Sequence, residues 1–162
     1  MNKEEIFKFL NEGNFWYEIT EHKAVYNMEE LSEVDLPYPE ADAKNLFVRD
    51  DKKRNYYLIS VQGDKRVDLK EFKAKHETRR LSFASETDLM TVMGLIPGAV
   101  TPFGILNDTE CIVQFFIDED FLKDPGLIGI HPNDNTATVW VKTEDLIAII
   151  KQHGNQVHVT EI

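Results

Sequence analysis

With one cysteine, Cys111, among 162 residues, the chain can form no internal disulfide framework and suits a reducing compartment. No stretch approaches the roughly 18 apolar residues that a membrane-spanning helix needs. The opening Met1-Asn2-Lys3-Glu4-Glu5 is charged where a secretory signal would be apolar, so a cytoplasmic protein with no membrane partner is expected. Whole classes of chemistry lack their signatures too. There is no HExxH, CxxC or EF-hand pattern, and His22, His76, His131, His153 and His158 do not fall at metal-ligand spacings, so no metal or other cofactor is expected. GxSxG and Walker-type loops are also missing, which removes the commonest serine-hydrolase and nucleotide readings. Any catalysis would therefore rest on positioning and backbone electrostatics instead of a strong side-chain nucleophile.

What is present is a hydrophobic fraction of 42% with 10 Phe, enough for an ordinary core, and the length fits one domain over residues 1–162. The net charge of -11 argues against an extended surface that tracks phosphates, and no DNA partner is expected. The charge is uneven, however. Between Lys44 and Arg80 stand 12 Lys/Arg against 6 Asp/Glu, and the remainder of the chain carries 6 against 23. Such a segment could meet a few phosphates at one end of an RNA, or it could be a solvated basic hairpin and helix.

Asn2 with Glu5 predicts an N-terminal capping pair, with Ile6, Phe7 and Leu10 on one face and Gly13 as the stop. Phe15 to Thr20 reads as a strand, and Asn27 with Glu30 as the start of a short helix through Met28, Leu31 and Val34. Pro37 and Pro39 impose an extended loop. Lys44 to Arg49 and Tyr56 to Gln62 read as a β-hairpin with a long polar tip. Asp68 with Glu71, and Ser85 with Asp88, start helices, the second ending near Gly94. Strands are expected at Phe103 to Leu106, Cys111 to Ile117, Leu127 to His131 and Thr136 to Val141. Thr143 is expected to cap a last helix stopped by Gly154, and Val157 to Ile162 to form a terminal strand. In this reading Cys111 is a core thiol in an alternating strand. Hairpin-length turns between strand pairs favour an α+β fold with a mixed, largely antiparallel sheet.

Three segments could carry chemistry. Lys44 precedes Asn45-Leu46-Phe47-Val48; its ammonium could neutralise a phosphate or an oxyanion, or it is a strand-end surface lysine. Gly98-Ala99-Val100-Thr101-Pro102 could aim backbone N–H groups at a substrate carbonyl, or be a stiff structural turn. His131, ahead of Pro132, could hydrogen-bond substrate or orient water at a rim, or cap its own loop. Ser82-Phe83-Ala84-Ser85 reads as a helix N-cap segment.

In their joint order, these segments resemble the YbaK-like aminoacyl-tRNA deacylases, the free-standing prolyl-tRNA editing proteins that hydrolyse mischarged Ala-tRNA(Pro). The resemblance runs through Glu21-His22-Lys23-Ala24-Val25, Lys44-Asn45-Leu46-Phe47-Val48-Arg49-Asp50, Asp64-Lys65-Arg66-Val67-Asp68-Leu69 and Arg80-Leu81-Ser82-Phe83-Ala84-Ser85. It continues through Gly98-Ala99-Val100-Thr101-Pro102-Phe103-Gly104, His131-Pro132 and Asn135-Thr136-Ala137-Thr138. It implies a sheet or barrel flanked by helices, metal-independent ester hydrolysis, and a 3′ end of aminoacyl-tRNA(Pro) as substrate, which prolyl-tRNA synthetase could deliver. By resemblance Lys44 is the catalytic lysine that holds the terminal phosphate. Gly98 and Pro102 bound the loop that positions the ester through Ala99, Val100 and Thr101, and the terminal ribose hydroxyl helps activate water. Asn45 and His131 are pocket neighbours, and Val25 and Leu46 help form the amino-acid cavity. The departures are local: Ala43 stands where Thr is common, and Asn133-Asp134 replaces a more apolar pair. The alternatives are a Cys-tRNA(Pro) deacylase of the same superfamily and a non-catalytic tRNA or protein adaptor.

Overall fold

The computed structural model describes residues 1–23 and 36–162. Helix α1 (Lys3–Glu12) starts as its sequence predicts. The Asn2 side chain accepts from the Glu5 N–H at 2.9 Å, and the Glu5 carboxylate accepts from the Asn2 N–H at 3.2 Å. Its buried face is Ile6 and Leu10, the spacing that one helical stripe requires. Strand β1 (Tyr17–Glu21) follows, then β2 (Ala43–Asp50) and β3 (Tyr56–Gln62). Helix α2 (Leu69–His76), β4 (Leu81–Phe83), α3 (Glu86–Met93) and β5 (Val113–Asp118) come next. The chain closes with β6 (Leu127–Ile130), β7 (Ala137–Lys142), α4 (Thr143–His153) and β8 (Val157–Thr160).

Among the described residues the strands form two open sheets rather than a closed barrel. One is antiparallel, in the order β1-β7-β6; the other has five strands in the order β4-β2-β3-β5-β8. In the larger sheet β2 pairs antiparallel with β3 and β4, whereas β3–β5 and β5–β8 are parallel. An isolated parallel bridge from Asp42 to Gly129 brings the start of β2 beside β6.

The larger sheet is covered on both faces, which explains why β3 is buried from Tyr56 to Val61. One face contributes Phe47, Tyr56, Leu58, Phe115 and Ile117 to the main core. The other face contributes Val48, Tyr57, Ile59, Val61 and Phe116, closed by Phe72 of α2 and by Leu81.

Several expectations need correction. Phe103 to Leu106 is not a strand: Pro102–Asn107 is a 3-10 helix, with Pro at its start and the Thr101 side chain accepting from the Phe103 N–H. Cys111 lies outside the strand that starts at Val113. It is half-buried, adopts φ 54°, and its thiol donates to the His153 carbonyl at 3.5 Å. Thr143 does not cap α4; it is the first helical residue, and its hydroxyl donates to the Phe121 carbonyl at 2.7 Å. The helix expected from Asn27 lies outside the described residues. Gly154 does end α4, at φ 118°, in the left-handed region where a helix commonly terminates.

Candidate functional site

The segment after α3 is built to hold its shape. Gly98 adopts φ 89°, a conformation that penalises any residue with a Cβ. The Ala99 N–H turns inward to the Ile96 carbonyl at 3.1 Å, and Ala99 is buried. Any oxyanion donor here must therefore come from Gly98, Val100 or Thr101, since Pro102 has no N–H. Thr101 is 0% exposed, and its hydroxyl donates to the His131 carbonyl at 2.6 Å. That bond ties the loop to the turn between β6 and β7.

Asn45 fastens the loop from the sheet side. Its carboxamide N–H donates to the Val100 carbonyl at 3.3 Å, while its oxygen accepts from the Ser60 hydroxyl. The register explains this pair, because Asn45 lies opposite Ser60 across β2 and β3. Ser60 is fully buried within the run Tyr56 to Val61, and such a polar group is satisfied by a partner.

His131 contacts the Ala137 carbonyl through Nδ1 at 2.9 Å. A carbonyl only accepts, so Nδ1 carries the hydrogen and Nε2 is left with its lone pair. Burial lowers the His131 pKa; the Ala137 contact and Asp134 oppose the shift, and His22 adds to it. The imidazole is thereby held neutral. The ring of His22 lies 6.2 Å away, edge-on, with Nδ1 on the Lys23 carbonyl at 2.8 Å and Nε2 on the Thr138 hydroxyl at 3.1 Å. By the same reasoning His22 donates to the Lys23 carbonyl through Nδ1. Among the described residues, no group of three or more His, Cys, Asp or Glu is placed to hold a metal ion.

The structure thus joins Asn45, the Gly98–Pro102 loop and His131. It does not bring Lys44 or Leu46 to them. Strand alternation sends Asn45 to the face of Ala43 and Phe47, and Lys44 to that of Leu46 and Val48. Leu46 packs against the Val48–Phe72 cluster. The Lys44 ammonium donates to the Lys65 carbonyl on that second face. Val25 lies outside the described residues. Ser60, His22 and Thr138 were not singled out by sequence reasoning. A lone serine in an apolar strand was the available signal for Ser60; His22 and Thr138 carried no pattern beyond their place in matching segments.

Comparison with known proteins adds to this geometry. Residues 22–149 match the family model described as the aminoacyl-tRNA editing domain. The chain is 39% identical over 160 residues to the prolyl-tRNA editing protein ProX of Acetoanaerobium sticklandii, covering 99% of this chain and 97% of that one. It is 30% identical over 141 residues to prolyl-tRNA synthetase associated domain-containing protein 1 of Mus musculus, covering 85% of this chain and 83% of that one. A solved structure, that of a candidate trans-editing enzyme for prolyl tRNA synthetase, superposes with a TM-score of 0.68 at 19% identity, covering 98% of this chain and 96% of the other. With a family model spanning most of its length and a relative matched almost end to end, the chain belongs to the aminoacyl-tRNA editing domain family.

Proposed function

We propose that residues 1–162 act as one editing domain, a trans-editing hydrolase that deacylates mischarged Ala-tRNA(Pro). The observation that carries this reading is the bond from the Thr101 hydroxyl to the His131 carbonyl, which fixes the Gly98–Pro102 loop beside His131. Water adds to the aminoacyl carbonyl, the bond to the terminal ribose oxygen breaks, and free amino acid and intact tRNA leave. An aminoacyl ester is already activated, so orientation and carbonyl polarisation account for a sufficient lowering of the barrier. The neutral His131 Nε2 accepts a hydrogen bond from water or from a ribose hydroxyl in the same site, and the terminal ribose hydroxyl assists that water.

Lys44 acts as the catalytic cation by holding the terminal phosphate. Its ammonium is a compact charge on a flexible stem, and it exchanges the Lys65 carbonyl for phosphate when RNA arrives. Val25 belongs to the amino-acid cavity in this reading; Leu46, expected there too, packs on the opposite face of β2 and does not line it. The need for such an enzyme has a physical origin. A synthetic site shaped for proline cannot strongly reject smaller alanine, because each missing methylene is worth only about 1–3 kcal/mol. A second site that admits alanine and excludes proline corrects the error in the cytoplasm, with prolyl-tRNA synthetase as the supplier of mischarged tRNA.

The test is a deacylation panel of Ala-, Cys-, Ser- and Pro-tRNA(Pro). Fast loss of alanine with Pro-tRNA(Pro) spared is expected. Preference for Cys-tRNA(Pro) would reassign the specificity, and binding of the 3′ end without turnover would make the chain an adaptor.

A further inference from the structure

The outer edge of β2 is paired only in part. β4 covers Val48 to Asp50, the Ala84 N–H donates to the Phe47 carbonyl at 3.0 Å, and the Asp42 bridge to Gly129 lies at the other end. Between them, Ala43 to Leu46 has no strand beside it among the described residues. This gap separates the two faces that carry Lys44 and Asn45.

Phe83 stands next to the gap. It is 63% exposed, the most exposed of the large hydrophobic side chains among the described residues. It is paired with Val48, so its ring rises from the same sheet face as Val48, Leu46 and Lys44, since directly opposed residues share a face. A single exposed apolar residue is ordinary; its surroundings distinguish this one. The exposed Arg80 leads into β4, Arg79 beside it is held by Asp51 at 2.6 Å, and Lys52, Lys53 and Arg54 stand at the β2–β3 tip. An exposed ring within a basic strip on an acidic protein has the chemistry of a single-stranded RNA platform: the cations meet the backbone and the ring stacks a base.

We propose that Phe83 stacks a base of the single-stranded 3′ end of the substrate RNA, which lies along the open edge of β2. The RNA backbone runs on the Lys44 face, and the terminal aminoacyl ester passes over the gap to the side of Asn45 and Val100. The inference rests on the deacylase reading, and it explains why adjacent residues of one strand serve opposite faces. Phe83 makes no contact with the reacting atoms; it is a binding residue.

The experiment uses the full chain and a short oligoribonucleotide ending in CCA, with 2-aminopurine as the terminal base, alongside deacylation of Ala-tRNA(Pro). In Phe83→Ala the stacking quench is expected to vanish, and affinity to fall with KM rising about tenfold, the size of one aromatic–base stack. The kcat should stay unchanged, and Phe83→Trp should restore both readouts. A Phe83→Ala protein that quenches, binds and turns over like wild type overturns the proposal. A wild type that quenches through Phe83 but releases no alanine contradicts the deacylase reading and upholds the platform.

Discussion

The Thr101 hydroxyl donates to the backbone carbonyl of His131 at 2.6 Å, with Thr101 fully buried. This bond joins the loop that follows α3 to the β6–β7 turn, and so sets where the imidazole stands relative to the loop. Thr101→Val keeps the side-chain shape and removes the donor, leaving the carbonyl without its partner. The expected cost is about 1–3 kcal/mol in urea denaturation, with a lower kcat for deacylation. Thr101→Ser should recover most of both.

His131 gives a pH signature. Its folded pKa is depressed below the ordinary 6.5, chiefly by burial. Above that value both states are neutral and the group contributes nothing. As pH falls through about 6.5 the unfolded chain takes up the proton first, so stability declines toward the folded pKa. His131→Asn is therefore expected to lose less stability than wild type between pH 7 and pH 5, as measured by urea midpoints.

Asp42 behaves in the opposite sense. It is 6% exposed, and burial raises its pKa to about 7. Because the folded value lies above the unfolded one, its contribution is fully present below about pH 4 and is lost as pH rises through 7. Asp42→Asn mimics the neutral acid and should exceed wild type in stability at pH 8 by up to roughly 4 kcal/mol, with the gap narrowing as pH falls and closing only near pH 4. Equal stability at both pH values would contradict this account.

Much of the fold was legible where local chemistry is decisive. The capping pairs at Asn2, Asp68 and Ser85, and the stop at Gly154, all stand where the sequence puts them. The hairpin of β2 and β3 follows from its aromatic and β-branched runs. Phe103 to Leu106 misled because a short apolar run has no period of its own, and Pro102 after the Thr101 cap started a helical turn instead. The parallel pairing of β5 with β3 and β8 leaves no local trace, since the connections are long. At the site, the loop and His131 were visible as residues. Their joint anchoring by Asn45, Ser60 and Thr101 depends on strand register. That Lys44 and Asn45 point to opposite faces follows from the alternation of the expected strand; which of the two meets the loop depends on the face of β2 that the main core occupies.

The central claim is tested most directly by single-turnover release of alanine from Ala-tRNA(Pro). Wild type should release it well above the spontaneous rate, and Lys44→Ala should lose nearly all of that acceleration. A wild-type rate equal to spontaneous hydrolysis would contradict the account.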